Sequence, residues 1–121
     1  MILSYNQIKQ HLRNAGFKGI NLEAAIKICY CESSFNTTAH NTNGEDSRGL
    51  MQINLEAHPH LSHLDLFNPA INTQAAYQIF NNSGKDFSDW TCAKQLGLIN
   101  PGEIYFYLGI ALIAGIVVYS I

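Results

Sequence analysis

Apolar side chains recur at helical spacing near the start of the chain, at Tyr5, Ile8, Leu12 and Ala15. A repeat of three or four residues is that of a helix with one buried face. Ser4 and Gln7 can form a capping box, in which each side chain bonds to the backbone N–H of the other residue. Gly16 follows the last apolar position and favours a helix end there. The pattern therefore predicts a first helix over residues 5–15.

Three further helices are predicted over residues 22–34, 68–82 and 88–96. The second helix would be capped by Asn21, whose side chain can accept a hydrogen bond from a free N–H of the first turn. The third would start at Asn68-Pro69, an N-cap followed by proline at the first helical position. The fourth would be capped by Ser88 and would end at Gly97.

The segment between the second and third helices has a different composition. Residues 36–48 are mostly Asn, Thr, His, Gly, Glu, Asp and Ser, which is typical of a loop or of a small irregular β-like excursion. A short apolar run follows at residues 49–54. The predicted fold is therefore mainly α-helical, with one small β-like excursion.

The last eighteen residues, 104–121, carry no charge. Asn100-Pro101 again combines a cap with a proline, and a helix over residues 101–121 would be about 31 Å long, close to the ~30 Å hydrocarbon core of a bilayer. Tyr105, Tyr107 and Tyr119 lie where aromatic belts form. A buried core helix is the alternative, but a domain of about 100 residues is too small to cover a helix that is apolar all round. We therefore predict a domain over residues 1–98 and a single C-terminal transmembrane helix over residues 101–121, which would contact lipid.

Charge and cysteine content exclude some classes of protein. The net charge of −2, with 13% charged residues, argues against a nucleic-acid partner. The three cysteines cannot all pair within the chain. Two interpretations stay open, one disulfide from Cys29 or Cys31 to Cys92, or three reduced thiols. The reduced state is favoured, because the first residues lack the basic and apolar regions of an export signal.

No metal or cofactor is expected. The Cys29–Cys31 spacing lacks the second pair of ligands that a zinc site needs. His58, His60 and His63 are irregularly spaced around Pro59, with no nearby cysteine to complete a set of ligands. They are better interpreted as a polar loop that flanks a cleft.

Two segments at a fixed separation carry the candidate chemistry. The first reads Glu-Ser-Ser-Phe-Asn over residues 32–36, and the second reads Ser-Arg-Gly-Leu-Met-Gln-Ile-Asn over residues 47–54. Together they resemble the catalytic and Gly-Leu-Met-Gln-Ile-Asn motifs of the soluble-lytic-transglycosylase family and of the related small muramidases of secretion systems and phages. The likeness extends over residues 22–92. The late Ala-Tyr-Asn-Ala-Gly motif of many larger members is missing, which leaves the branch of the family open.

The resemblance implies a lysozyme-like fold and a peptidoglycan substrate. In lytic transglycosylases a single glutamate acts first as acid and then as base, and the hydroxymethyl oxygen of the sugar closes a 1,6-anhydro ring. Glu32 matches that glutamate. The resemblance also indicates the residues that would bind the glycan, namely Ser33, Ser47, Gly49, Met51, Gln52, Asn54 and Tyr77.

Several of these residues have a structural interpretation as well. Gln52 and Asn54 could bind the glycan or could satisfy backbone groups around the turn. Tyr77 could point its hydroxyl at Glu32 or could be a core aromatic residue. Gly49 would permit a tight turn or a close approach to the sugar.

The chemistry itself sets two conditions. A glutamate serves as the acid only if burial raises its pKa toward the working pH, and the expected apolar wall is formed by Met51, Ile53, Phe35 and Tyr77. A retaining hydrolase would need a second carboxylate about 5 Å away, for which Glu45, Asp46 and Asp65 are available. None of the three matches a family position, so the single-glutamate mechanism is favoured over a hydrolysing lysozyme.

A competing function is a non-catalytic structural or peptidoglycan-binding protein on the same fold. The intact Glu32 and the intact run at residues 49–54 favour the enzyme. An anchor without an export signal would fit an enzyme in the membrane of a phage virion, beside capsid or other virion membrane proteins, or one in the bacterial inner membrane. We expect a membrane-anchored wall-degrading enzyme.

Overall fold

The computed structural model describes residues 1–102, which form four α-helices and a small three-stranded sheet. The helices are α1 (Tyr5–Ala15), α2 (Gly19–Ser33), α3 (Pro69–Asn82) and α4 (Thr91–Leu96). The strands are β1 (His40–Asn41), β2 (Ser47–Arg48) and β3 (Ile53–Asn54), and a short 3₁₀ helix spans Pro59–Leu61. The mainly helical fold with a small β excursion is the one expected from the sequence.

Helices α1 and α3 begin directly after the N-cap residues that were predicted for them, Ser4 and Asn68. The Ser4 hydroxyl accepts a hydrogen bond from the N–H of Gln7, and the Gln7 side chain accepts one from the N–H of Ser4. Asn68 Oδ1 accepts from the N–H groups of Ala70 and Ile71, at 2.9 and 3.1 Å. In both helices a side chain satisfies N–H groups that the first turn leaves free, which is why these starts could be predicted.

The predicted starts of α2 and α4 are wrong. Helix α2 begins at Gly19, because the N–H of Leu22 already bonds to the carbonyl of Lys18 at 3.2 Å. Helix α4 begins at Thr91, since Ser88 bonds to the Asp86 carboxylate rather than to the helix. Neither helix has a side-chain cap, so packing rather than capping sets where it begins.

The three strands form an antiparallel sheet in the order β1-β2-β3. Arg48 is paired with His40 on one side and with Ile53 on the other. Each strand has two residues, and in the chain the sheet lies between α2 and α3. This is the small excursion predicted for the polar segment.

The hydrophobic core lies between α1, α2 and α3. Ile8 and Leu12 of α1 and Ile28 of α2 are completely buried. Phe17, in the connection between α1 and α2, packs against Phe80 of α3 at a ring distance of 5.2 Å. The core therefore fixes α2, the helix that carries Glu32, against α1.

Cys31 and Cys92 form a disulfide, whereas Cys29 is free and buried. The preference for three reduced thiols is wrong, and the disulfide is one of the two pairings that the sequence left open. Residues two apart on a helix point about 200° apart. Because Cys29 faces the core, with its sulfur 3.5 Å from the carbonyl of Leu50, Cys31 is the cysteine that faces α4.

The transmembrane helix predicted over residues 101–121 falls almost entirely outside the described residues. Pro101 and Gly102 have helical conformation, and the description of the chain ends there. Among the helices of residues 1–102, none combines the length and apolarity needed to cross a bilayer.

Candidate active site

Glu32 lies in the last turn of α2, where the helix ends abruptly. Ser34 and Phe35 both adopt positive φ, at 52° and 64°, and the N–H of Asn36 turns back to the carbonyl of Ser33. Such left-handed conformations are uncommon for residues other than glycine and concentrate at functional sites. The turn leads the chain away from the helix end and leaves the half-buried Glu32 side chain at the edge of a cleft.

The cleft has a volume of ≈ 400 Å³ and three walls, contributed by the end of α2, the sheet with its turn, and α4 with the residues before it. Its lining is mostly polar and consists of Glu32, Asn41, Glu45, Ser47, Gln52, Asn54, Asp89, Trp90, Thr91, Cys92 and Gln95. Amide and hydroxyl groups of this kind can bind the hydroxyl and acetamido groups of a glycan. The cleft therefore combines a carboxyl group with polar groups suited to a sugar.

The pKa of Glu32 is raised above its ordinary value. The largest cause is burial, which disfavours the charged form. The backbone N–H of Cys92 donates to Glu32 Oε2 at 3.3 Å and works in the opposite direction, whereas the negative charge of Glu45 raises the pKa further. A carboxyl group that keeps its proton toward higher pH can act as a general acid.

Because Gly49 has no side chain, the turn between β2 and β3 can pack closely against Leu66 and Asn72. The φ of Gly49 is +74°, and a Cβ at this position would lie 2.1 Å from the carbonyl oxygen of Leu66 and 2.4 Å from Nδ2 of Asn72. Its N–H donates to the carbonyl of Ala39 at 2.7 Å. The glycine is thus required by the turn and by the close approach of two chain segments.

Asn72 holds this turn from behind. It is fully buried in α3, accepts from the N–H of Met51 at 2.9 Å, and donates to the carbonyls of Arg48 and Leu66 at 2.9 and 2.8 Å. A buried amide with its bonds satisfied in this way fixes the segments that it joins. Asn72 lies within residues 22–92, over which the resemblance extends, but its sequence position gave no indication of this role.

The sequence matches the family model of the lysozyme-like domain over residues 9–92, more than half of the chain. This chain belongs to the lysozyme-like domain family. The family comprises enzymes that act on peptidoglycan by cleaving glycosidic bonds. The matched residues of this lysozyme-like domain include every cleft residue from Glu32 to Cys92. Searches among curated proteins and among solved structures give no significant match.

Four of the predicted site residues line the cleft of the lysozyme-like domain, namely Glu32, Ser47, Gln52 and Asn54. Gln52 has φ +48°, and its Nε2 donates to the carbonyls of Ala39 and Gly49 at 3.1 and 3.0 Å. Asn54 Oδ1 accepts from the N–H of Glu56 at 2.9 Å. The side-chain amides thus satisfy backbone groups and also border the cleft, so the two interpretations of these residues are compatible.

Three predicted residues support the cleft from behind. Gly49 and Met51 are buried in the turn, and the carbonyl of Met51 accepts from Trp90 Nε1 at 2.7 Å. Ser33 is also buried, and its hydroxyl donates to the carbonyl of Cys29 at 3.1 Å. None of these three lines the cleft, so their contacts indicate a supporting position.

Tyr77 is not brought to the cleft. Its ring packs edge-on against Phe17 at 5.1 Å and lies over Gly16, where a Cβ would be only 2.8 Å from the ring. The tyrosine therefore packs against the core of the lysozyme-like domain and not into the cleft, and its predicted cleft position is corrected. Phe35 also lies elsewhere, in an apolar groove on the other side of α2, so the expected apolar wall is wrong.

The candidate second carboxylates have different surroundings. Glu45 lines the cleft, where Ser47 Oγ donates to its Oε2. Asp46 instead bonds to Arg48 and His40, which lower its pKa to about 2. Asp65 accepts from the N–H of Phe67. Glu45 is thus the only one of the three sequence candidates at the cleft, and the sheet register that brings it there is not visible in the sequence.

Sequence reasoning missed several cleft residues. Asp89, Thr91 and Gln95 line the cleft and were assigned no role. The sequence alone indicates a core position for Trp90, with stacking on a sugar as the alternative. Trp90 is in fact buried and also borders the cleft. These residues lie around the start of α4, and the signal that could have indicated them is the disulfide, which brings this segment to Glu32.

Within residues 1–102, no group of three or more side chains is arranged to hold a metal ion. The rings of His58 and His60 lie 6.0 Å apart and border a separate small cavity beside α3.

Proposed function

We propose that this protein is a lytic transglycosylase that cleaves the β-1,4 bond between N-acetylmuramic acid and N-acetylglucosamine in peptidoglycan. The observation that carries the proposal is the half-buried Glu32 carboxyl group, with its raised pKa, at the edge of a polar cleft. Its position at the helix end lets one carboxyl group give a proton to the substrate and later remove one.

In the proposed reaction, Glu32 first protonates the oxygen that links the two sugars. The bond from that oxygen to C1 of the muramic acid breaks, and the positive charge that develops on the ring is oxocarbenium-like. The Glu32 carboxylate then removes the proton from the C6 hydroxyl, whose oxygen forms the new bond to C1. The product is a 1,6-anhydro ring, and Glu32 is again protonated for the next cycle.

Hydrolysis is the second candidate, and Glu45 is the observation that favours it. Glu45 shares the cleft with Glu32, and its charge acts on the Glu32 pKa. A retaining lysozyme would use such a carboxylate as nucleophile or as electrostatic stabiliser of the sugar cation. The two mechanisms differ in their products, since hydrolysis adds one water to the glycan and transglycosylation adds none.

The experiment compares full-length protein in detergent with the variant Glu32→Gln on purified peptidoglycan, with products identified by mass spectrometry. Glu23→Gln is the matched control, because Glu23 is an exposed glutamate of the same helix that bonds to Tyr5 and Lys9. We expect anhydro products from the wild type and from Glu23→Gln. Loss of the acid should slow release by about 10²–10⁴-fold in Glu32→Gln.

The other outcomes separate the alternatives. Fully hydrated reducing ends would favour the lysozyme mechanism with Glu45. An absence of products from folded wild-type protein would favour a non-catalytic, peptidoglycan-binding protein.

We further propose, from the sequence, that the uncharged residues 104–121 attach the protein to a membrane. The length of this run matches the thickness of a bilayer core. The membrane to which the protein is attached would be that of a phage virion or the bacterial inner membrane. Extraction of expressed full-length protein at alkaline pH tests the attachment, because an integral anchor stays with the lipid and a peripheral protein is released. Presence of the protein in purified virus particles, rather than in the periplasm of the host, would favour the virion.

A further inference from the structure

We propose that the Cys31–Cys92 disulfide is a positioning element of the active site, which holds the backbone N–H of Cys92 against the Glu32 carboxyl group and makes glycan cleavage dependent on the oxidation state of the two cysteines. The inference rests on the proposed function of Glu32. It concerns the control of the same site.

The disulfide joins the neighbour of the hydrogen-bond acceptor, Glu32, to the residue that supplies the donor, Cys92. Cys31 directly precedes Glu32 in α2, and Cys92 supplies the N–H that donates to Glu32 Oε2 at 3.3 Å. The two cysteine Cα atoms lie 6.0 Å apart, although the residues are separated by 61 positions in the sequence. Donor and acceptor are therefore fixed relative to each other through the disulfide.

Helix α4 needs such a restraint. It has six residues, without a side-chain cap, and its buried side chains are those of Cys92 and Ala93. Helices of this length are not stable by themselves. Thr91, Cys92 and Gln95 nevertheless form one wall of the cleft. The disulfide joins this short helix to α2, so it holds the wall as well as the hydrogen bond.

The bond can be reached by a reductant. Cys31 is exposed and borders the open groove on the far side of α2 from the cleft, whereas Cys92 is buried. A thiolate of a small dithiol can attack Cys31 Sγ, forming a mixed disulfide and releasing the Cys92 thiolate, which takes up a proton. The second thiol of the reagent then closes its own disulfide and releases Cys31. Two electrons and two protons pass from the reagent to the protein.

Cys29 does not take part in this exchange. Burial raises its pKa to about 12, and its sulfur lies against the carbonyl of Leu50. A thiol that keeps its proton is a poor nucleophile. Reduction of the disulfide is therefore not followed by a rearrangement to Cys29, and reoxidation restores the same pair.

Reduction should act on Glu32 in a defined direction. The hydrogen bond from Cys92 lowers the Glu32 pKa, against the effect of burial. Loss of this donor stabilises the protonated form, so the pKa of Glu32 should rise further. Since misplacement of a catalytic group by about 1 Å can cost about 10²-fold in rate, we expect kcat to fall by roughly 10–100-fold.

The experiment uses the full-length chain, oxidised or reduced with dithiothreitol, and the variants Cys31→Ser, Cys92→Ser and the double variant. Cys29→Ala, which keeps the disulfide, is the control. Muropeptide release is measured against pH, and the Glu32 pKa is measured independently by NMR of a 13C-labelled side-chain carboxyl. Circular dichroism checks folding.

We expect the reduced wild type and all three serine variants to be folded, to lose activity and to show a higher Glu32 pKa. Reoxidation should restore the wild type and Cys29→Ala but none of the serine variants, and Cys29→Ala should respond to reductant as the wild type does. A folded reduced chain with unchanged kcat and unchanged Glu32 pKa would overturn the inference. Unfolding of both the reduced chain and the double variant would overturn it as well, because the cross-link would then hold the whole fold. An inactive oxidised wild type would instead refute the proposed function.

Discussion

Helix α2 separates two concave surfaces that differ in chemistry. The cleft on one side is mostly polar and contains Glu32, whereas the groove on the other side is almost entirely apolar. The groove is lined by Tyr5, Ile26, Lys27, Tyr30, Cys31, Phe35 and Leu96. Consecutive residues, Cys31 and Glu32, thus border different surfaces. The last turns of one helix thus supply side chains both to an apolar groove and to a polar cleft.

The two surfaces also differ in how they are built. The groove is lined mostly by side chains of helices, including exposed aromatic ones such as Tyr30. The cleft needs uncommon backbone at Gly49 and Gln52, together with the buried amide of Asn72. A polar site has to be held by satisfied polar contacts, because each unpaired buried group would cost about 1–3 kcal/mol. This difference suggests that substitutions should harm the cleft much more than the groove.

The largest effect is expected for Gly49→Ala, in the turn that forms one wall of the cleft. The new methyl group would collide with the backbone of Leu66 and with Asn72. Strained backbone costs about 1–2 kcal/mol and overpacking about 1–3 kcal/mol more. We expect the free energy of unfolding to fall by about 3 kcal/mol or more, as measured by urea denaturation.

Gly44→Ala is the matched control for that substitution. Gly44 has nearly the same φ, +76° against +74°, but nothing lies within 4 Å of a Cβ there. It should cost only the backbone strain, about 1 kcal/mol. Equal losses in the two variants would mean that the turn is not tightly packed and that the cleft is no more sensitive than open surface.

The sequence predicted those parts that local chemistry determines. The caps at Ser4 and Asn68 located α1 and α3, and Glu32 with the run at residues 49–54 indicated the cleft. Contacts between distant segments could not be predicted. Periodicity does not show which of Cys29 and Cys31 faces α4 until α2 is packed.

The same limit explains Tyr77 and Glu45. Whether the Tyr77 side chain points to the cleft or to the core depends on how α3 packs against Phe17 and Gly16, and this packing directs it to the core. The pairing of β1 with β2 brings Glu45 to the cleft. Both strands have only two residues, which is too short for an alternation of apolar and polar residues to indicate this pairing in the sequence. The structure was needed wherever a contact joined residues far apart in the chain.

An intermediate effect is expected for Glu45→Gln, which removes the second charge from the cleft. That charge raises the pKa of Glu32, so the pKa should fall when the charge is removed. A general acid acts in its protonated form, and activity is lost as pH rises through its pKa. The alkaline limb of kcat/KM should therefore move to lower pH in a series of muropeptide-release assays.

Glu56→Gln provides the comparison for this change, because Glu56 is exposed and lies outside the cleft. Its pH profile should match that of the wild type. An unchanged profile in Glu45→Gln would contradict the electrostatic coupling of the two carboxyl groups. A loss of activity at every pH would make Glu45 a participant in the reaction and favour hydrolysis.

The smallest effect is expected in the groove. Tyr30→Gln replaces a side chain that is 60% exposed and contacts the ring of Phe35. Exposed substitutions usually change a free energy by less than about 0.5 kcal/mol, roughly a factor of two in rate. We expect muropeptide release to stay within that range. A fall of tenfold or more would show that the glycan also occupies the groove, and the contrast between the two surfaces would fail.

Trp90 gives the cleft an optical signal of its own. It is the single tryptophan of the chain, it borders the cleft, and its indole N–H is bonded to the carbonyl of Met51. Indole emission depends on the polarity and hydrogen bonding around the ring. The tryptophan fluorescence of the unlabelled protein therefore comes from one place, in the same cleft as Glu32 and Cys92. Sugar binding, opening of α4 and loosening of the turn can each be followed there without introducing a dye.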